Sequence, residues 1–342
     1  MQLTMMDFKK FSFVFCAFFI LGSCSENQSH ILSGFALGTT YTIKYNAPNP
    51  VNELDTQVDS LFFKINRSLS TYLPTSDISK INRGDSRVVV DAYFREVFET
   101  SKKINQLTEG YFDPTVGNLV NAYGFGPEKP LKTIQQPQID SLLQLTGMYK
   151  VSINQTGNVV KDHPLVYLDF NAIAKGYTVD LLGKLLSQNG IDDFLVEVGG
   201  ELVARGENQT TQKPWTVGID DPLQDEGKRS YLAVISLTNQ AMATSGNYRK
   251  YRIDPQTGIR YVHTLNPMTG TPVKSKVLSA TVLASSCIEA DAMATALMAM
   301  PPKLSKKILE ESPNFEAFLV LSSSKNSIET FSTPGFQSLV LD

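Results

Sequence analysis

The period of the hydrophobic pattern changes along the chain. "FALGTTYTIKY" (residues 35–45) alternates apolar and polar positions as a strand does, and Leu54, Val58, Leu61, Phe62, Ile65 and Leu69 then recur at helical spacing. A second helix is expected after Asp91, with Phe94, Val97, Phe98, Ile104 and Leu107 on its apolar side and Gly110 ending it. "KVSI", "LVYLDF" and "FLVEVG" read as short buried strands. Between the last two, "AIAKGYTVDLLGKLLSQNG" (172–190) reads as a helix closed by Gly190. Residues 215–283 read as strands and hairpins, including "WTVGID", "YLAVISL", "YRKYRID" and "RYVHTL". A helix at "EADAMATALMAM" (289–300), another opening at a proline in "PKLSKKILEE", and strands at "FEAFLVLS" and "SLVL" complete the chain. "PEKPLKTIQQPQ" is either a lobe boundary or a surface loop. The expected architecture is α+β: two intimately packed lobes of mixed and antiparallel strands flanked by helices.

The segment 289–300 poses a chemical question, because it is apolar on nearly every side yet carries Asp291 and, one turn later, Thr295. Ser286 and Glu289 fit a capping box, which puts Asp291 past the first-turn amides. A buried carboxylate is costly unless paired, hydrogen-bonded or bound to a metal. Asp291 and Thr295 share a helix face and offer two oxygens to a hard cation; alternatively, the threonine bonds back to its own helix.

The 342 residues are 42% hydrophobic and 19% charged, with a net charge of -3, so no basic field for nucleic acid exists. The start is distinctive. Lys9 and Lys10 precede the apolar run "FSFVFCAFFILG", and "LGSC" ends at Cys24. A run this short suits a signal peptide over residues 1–23 better than a membrane span. "LGSC" resembles a bacterial lipobox, which would make Cys24 the lipidated first residue; an uncleaved anchor or ordinary secretory cleavage is the alternative. Residues 24–33 then form a polar tether, and residues 34–342 form the folded part in the extracytoplasmic cell envelope. Only Cys287 would remain as a thiol, which leaves no internal disulfide.

Further polar residues gather in glycine-rich or turn contexts. The strand expected in "LVYLDF" ends at Asp169, Asn171 is a candidate helix cap, and Lys175 stands in the first turns beside Gly176. Helix amides and an ammonium suit phosphate oxygens, though a plain junction with a solvated lysine is the commoner outcome. Gly199 and Gly200 in "VEVGGEL" signal a bulge or a turn. In "GYFDPTVGNLVNAYGFGP" (110–127), Asp113 before proline suggests a structural turn, while Tyr111 and Phe112 beside it could hold an aromatic ring; Tyr72 offers the same. His263 precedes an Asn-Pro turn, where it bonds a phosphate, moves a proton or only packs. The other histidines are His30 and His163, which make no zinc cluster. HExxH, paired CxxC and GxSxG are absent from the sequence.

In order along the chain, "ALGTTYTI", "LSTYLPTSDISKIN", "FDPTVGNLVNAYGFG", "DFNAIAKGYTVD", "VEVGGEL", "ATSGNYRKY", "HTLNPMTGTPV" and "EADAMATAL" resemble the ApbE family of FAD:protein FMN transferases, over roughly residues 34–340. The resemblance implies an envelope enzyme that cleaves FAD and transfers FMN to a threonine or serine hydroxyl of a target protein, releasing AMP. It implies magnesium held by Asp291, Thr295 and the Ala172 carbonyl. It also implies FAD contacts at Leu37, Tyr72, Tyr111, Phe112, Asp113, Asp169, Lys175 and His263, with His263, Asp291 and Lys175 as the catalytic set. Leu37 stands where the family often has methionine, Asn171 where a small residue is common and Asn266 where aspartate is frequent. The implied target is a membrane redox subunit carrying a motif of the kind Asp-Gly-x-Ser/Thr-Gly-Ala-Thr. A magnesium-dependent FAD pyrophosphatase and a non-catalytic flavin-binding lipoprotein are the competing expectations.

Overall fold

The structure is a computed structural model that describes residues 27–131, 134–224, 228–247, 251–253, 260–273, 275–323 and 327–341. The expected signal peptide and Cys24 lie outside these residues. The described chain opens with β1 (Gln28–Ala36) and β2 (Thr39–Ala47), followed by α1 (Leu54–Leu69), α2 (Asp77–Asn82), α3 (Ala92–Leu107), α4 (Gly117–Ala122) and α5 (Gln136–Leu143). Next come β3 (Val151–Ile153), β4 (Val159–Lys161), α6 (Ala174–Gln188), β5 (Phe194–Val198), β6 (Glu201–Arg205), β7 (Glu207–Asn208), β8 (Lys213–Asp220), β9 (Tyr231–Leu237) and β10 (Gln240–Gly246). The remainder is β11 (Tyr251–Ile253), β12 (Arg260–Val262), β13 (Leu265–Asn266), β14 (Thr271–Pro272), β15 (Val277–Ala284), α7 (Cys287–Ala299), α8 (Pro302–Glu311), β16 (Glu316–Ser322), β17 (Ile328–Ser332) and α9 (Pro334–Gln337).

The α+β expectation holds. One sheet with strand order β1-β2-β5-β6-β10-β15-β16-β17 runs through the molecule, and its ladders are antiparallel. Strand alternation gives the sheet two buried faces. On one face Val196, Val198, Ala241, Ala243, Ala280 and Val282 pack under α1, α3, α6 and α7. On the other face Leu202, Ala204, Met242, Leu283, Phe318 and Val320 meet Trp215, Ile219, Ile235 and Leu237 of β8 and β9, together with Phe336 of α9.

Local signals explain most boundaries. The Asp91 side chain accepts the Phe94 amide at 2.9 Å and starts α3, and Gly110 (φ 85) follows its end. Gly190 (φ 76) closes α6 after Asn189.

Four expectations change. "FALGTTYTIKY" is two strands, because Leu37 (φ 51) and Gly38 (φ 74) take the paired left-handed conformations of a two-residue hairpin turn. The tether expected over residues 24–33 is partly sheet, since β1 begins at Gln28 and pairs with β2 through nine residue positions. "LVYLDF" contributes only a single parallel bridge, Tyr167 to Val116. The Asn82 side chain takes a neighbouring strand's place, donating to the Leu168 carbonyl and accepting the Leu168 amide, each at 2.8 Å. "SLVL" contributes only a single bridge, Val340 to Ile235. The proline-rich stretch after residue 127 turns into α5 at Gln136.

Candidate active site at the N-termini of two crossed helices

Helices α6 and α7 exchange carboxylates. Asp180 of α6 accepts the amides of Cys287 (2.7 Å) and Ile288 (2.9 Å), the first turn of α7. The expected capping box is therefore modified: Ser286 is the N-cap residue but its hydroxyl bonds Glu289 at 3.1 Å, and the amides go to Asp180. In return, Asp291 Oδ2 accepts the Gly176 amide at 3.0 Å, in the first turn of α6. The exchange needs the helices to touch. A Cβ on Gly176 would lie 2.3 Å from the Cys287 carbonyl oxygen and 2.7 Å from Asp291 Cβ, so only glycine fits.

This diversion frees an oxygen. In a continuing helix the Gly176 amide would bond the Ala172 carbonyl. Here it bonds Asp291, and among the described residues no backbone amide reaches the Ala172 oxygen. Asp291 is 2% exposed, and Thr295 Oγ1, one turn on, meets Ser245 Oγ of β10 at a long 3.4 Å. The Ala172 carbonyl, the Asp291 carboxylate and the Thr295 hydroxyl are hard oxygen donors with bonding capacity left over, which fits a hard divalent cation. No group of three or more His, Cys, Asp or Glu side chains that could hold a metal occurs among the described residues, so zinc-type chemistry gains no support.

Charge at this crossing is concentrated. Burial raises the Asp291 carboxyl well above its ordinary range; Lys175 opposes the shift and the nearby charge of Glu201 adds to it. Lys175 forms an ion pair with Glu201 at the start of β6. Burial pulls its ammonium down, but the charges of Glu201 and Asp291 outweigh that, and the net shift is upward. The Cys287 thiol is buried and pushed well above its usual range by desolvation and by Asp180.

The other expected residues have the following contacts. Asp169 is 9% exposed; its amide donates to Pro114 O at 2.7 Å and its carboxylate accepts the Asn171 amide at 2.8 Å. Burial lifts its carboxyl to about 6. Asn171 is thus not the cap of α6, which starts at Ala174; its side chain instead reaches Thr71 at 3.3 Å. Tyr72, largely exposed, donates to the Phe125 carbonyl at 3.1 Å, and its phenol is raised by burial and by the charge of Asp169.

The hairpin of β13 and β14 follows His263 and packs Leu265 against Leu119 and Tyr123. A Cβ on Gly110, beside Tyr111, would lie 2.6 Å from Met268 Cε in that hairpin. Thr264, next to half-buried His263, donates to Asn247 at 2.9 Å, two residues beyond Ser245. Leu37, at the tip of the first hairpin, packs against both helix-side clusters.

Phe112 and Asp113 have internal roles. Phe112 is 3% exposed in the core. Asp113 accepts the Thr115 amide (2.8 Å) and hydroxyl (2.6 Å) on one oxygen and the Met148 amide (2.9 Å) on the other. Both hold the segment's shape, and Tyr111 packs partly buried against the core. The two clefts of about 510 Å³ against α1 and α6 and about 410 Å³ beside Asp192 are lined by none of the expected site residues.

Comparison with known proteins places the chain in a family. The ApbE family profile matches residues 37–319. The chain belongs to the ApbE family. An FAD:protein FMN transferase of Vibrio cholerae is 38% identical over 289 residues, 82% of this chain and 84% of the relative. One from Haemophilus influenzae is 32% identical over 93% of this chain and 94% of its own. Among solved structures, the flavin transferase ApbE from Vibrio cholerae superposes with a TM-score of 0.82 at 32% identity, covering 92% of this chain and 99% of that one. The apo form of the Pseudomonas stutzeri flavinyl transferase ApbE gives 0.81 at 30% identity, covering 92% and 97%.

Sequence reasoning did not single out Glu201, Asp180, Ser245 or Asn82. Glu201 carried a signal: an acidic residue at the start of an apolar strand segment, immediately after the Gly199 and Gly200 turn, where the strand period buries it. The other three are polar residues whose partners are distant in sequence, and no local pattern marks them.

Proposed function

We propose that this ApbE-family chain is an FAD:protein FMN transferase, which moves FMN from FAD to a threonine or serine hydroxyl of a target protein and releases AMP. The observation that carries the reading is the diverted Gly176 amide. It turns Asp291 toward the first turn of α6, where Lys175 stands and the Ala172 carbonyl has no amide partner among the described residues, and Thr295 lies one turn beyond Asp291 on α7. Helix amides and an ammonium there suit a pyrophosphate. The three oxygens would hold magnesium, which when bound supplies charge neutralisation on the pyrophosphate oxygens.

The protein's own part is positioning and electrostatics, as phosphoryl transfer requires. Lys175, kept cationic by its acidic neighbours, offsets charge on the phosphate. Tyr72, Tyr111, Leu37 and Asp169 line the approach for the flavin and its polar edges. The acceptor hydroxyl oxygen attacks the phosphorus on the FMN side, its bond to the AMP phosphate oxygen breaks, and AMP leaves. His263 orients that phosphate or accepts the hydroxyl proton. Asp291 serves as a ligand, because a carboxylate bound to a cation is a weak base.

In this reading Cys24 carries the lipid anchor and the folded part faces the extracytoplasmic side of the envelope, where a membrane redox subunit presents its flavinylation motif. Among the described residues no helix is long and apolar enough to cross a membrane. The test is to incubate protein, FAD and magnesium with a carrier bearing the motif and to measure the carrier's intact mass. A gain of one FMN supports the transferase; AMP and free FMN with unmodified carrier would favour the pyrophosphatase, and bound but unreacted FAD the flavin-binding lipoprotein.

A further inference from the structure

Lys175 does not stand alone at the N-terminus of α6; it is tied to the sheet beneath by its ion pair with Glu201. The two partners are unequally buried. The Glu201 side chain is 4% exposed and that of Lys175 28%, so the carboxylate forms the floor and the ammonium rises from it. Glu201 reaches this place through the turn before it. Gly199 (φ 64) and Gly200 (φ 106) reverse the chain in two residues, a Cβ on Gly199 would lie 2.8 Å from the Thr39 methyl, and Glu197 accepts the Gly200 amide at 2.6 Å. Strand alternation then puts Glu201 on the same face of β6 as Val203, the face that packs against the helix-side cluster.

The pair is a poor structural element. A buried ion pair stabilises a fold only when its remaining lone pairs and protons are also satisfied. Here Glu201 Oε1 meets Lys175, while Oε2 is buried with no hydrogen-bond partner among the described residues. The part-exposed ammonium keeps N–H groups that a ligand's phosphate oxygens can accept, so the pair suits a site that a bound anion completes at Lys175.

We propose that Glu201 is a positioning residue for the transfer reaction, holding the Lys175 ammonium where the FAD pyrophosphate lies. This rests on the transferase reading above. Glu201 touches no reacting atom; it acts through Lys175. Its removal should therefore cost nothing further once Lys175 is gone.

The test is a double-mutant cycle on FMN transfer to a motif-bearing carrier, using Glu201→Gln, Lys175→Met and the double variant, with kcat and KM determined and folding checked by thermal melting. Glu201→Gln is expected to lower kcat by about 10- to 100-fold, the usual cost of losing an orienting partner. KM for the carrier should not change, and the double variant should be no slower than Lys175→Met alone. Losses that multiply in the double variant, or a Glu201→Gln enzyme with wild-type kcat, would overturn the proposal. Should Glu201→Gln not fold, the same cycle run with Glu201→Asp, which keeps the charge on a shorter arm, gives the same two outcomes. Should the wild type transfer no FMN, the transferase reading fails separately, and the cycle is read on FAD affinity by flavin fluorescence. There Lys175→Met and the double variant must bind equally weakly, and additive losses would overturn the positioning role.

Discussion

Replacing Gly176 with alanine tests the crossing on which the site is built. The new Cβ would fall 2.3 Å from the Cys287 carbonyl oxygen and 2.7 Å from Asp291 Cβ, and the first of these is backbone that no rotamer change can move. The helices must part. Overpacking of this kind costs about 1 to 3 kcal/mol. Separation also loses the Gly176 amide bond to Asp291, about 1.5 to 3 kcal/mol for a hydrogen bond to a charged group. Alanine returns about 1 kcal/mol of helix propensity. The balance is about 3 kcal/mol of destabilisation, which at roughly 2 °C per kcal/mol for a chain of this size lowers the melting temperature by about 6 °C. Gly183 on the same helix is the control. Its Cβ would meet Val203 Cγ1 at 3.2 Å and the Phe194 ring at 3.3 Å, side chains that can yield, so Gly183→Ala should stay within about 1 kcal/mol of the parent. Thermal melting followed by circular dichroism reads both variants, and FMN transfer should fall with Gly176→Ala. A Gly176→Ala protein that melts within a degree of the parent and transfers FMN at full rate would refute the reasoning.

Three further outcomes are expected. Asp169, with a folded value of about 6 against its ordinary 3.8, takes up a proton on folding between those values, so its burial lowers stability above pH 6 and the penalty fades as pH falls through 6. Asp169→Asn should therefore melt higher than the parent at pH 7.5, with the gap closing towards pH 4, while FAD binding weakens; a gap that widens on acidification would contradict this. Asn82→Ala leaves the Leu168 amide and carbonyl unpaired in the core and should cost about 2 to 4 kcal/mol in denaturant unfolding. Chelation by EDTA should stop FMN transfer and added magnesium restore it, whereas Asp291→Ala should stay inactive at any magnesium concentration; transfer that persists in EDTA would remove the metal from the account.

Legibility in the sequence followed the range of the interactions. Helices α1, α3, α6 and α8 could be read because their starts and stops are local: Asp91 before α3, Gly190 after α6, Pro302 opening α8. The segment around Leu168 misled because its apolar residues have a strand's composition, but its partner is the side chain of Asn82, 86 residues away. The need for a partner at Asp291 was visible from its place in an apolar helix. What it pairs with was not, since the Gly176 amide lies 115 residues earlier and the helix exchange depends on tertiary contact. Asp291 caps a neighbouring helix and in doing so leaves the Ala172 carbonyl without an amide partner among the described residues. Phe112 and Asp113 have partners the sequence did not show. Their residue types suit a flavin, yet the loop uses them internally through Thr115 and Met148.

The most direct measurement is the stoichiometry of one reaction. Wild-type protein, FAD, magnesium and a motif-bearing carrier are combined, AMP is quantified by chromatography, and FMN on the carrier is located by tandem mass spectrometry. The account predicts one AMP released for each FMN found on the motif's final threonine. AMP matched by free FMN, with the threonine unmodified, would contradict it.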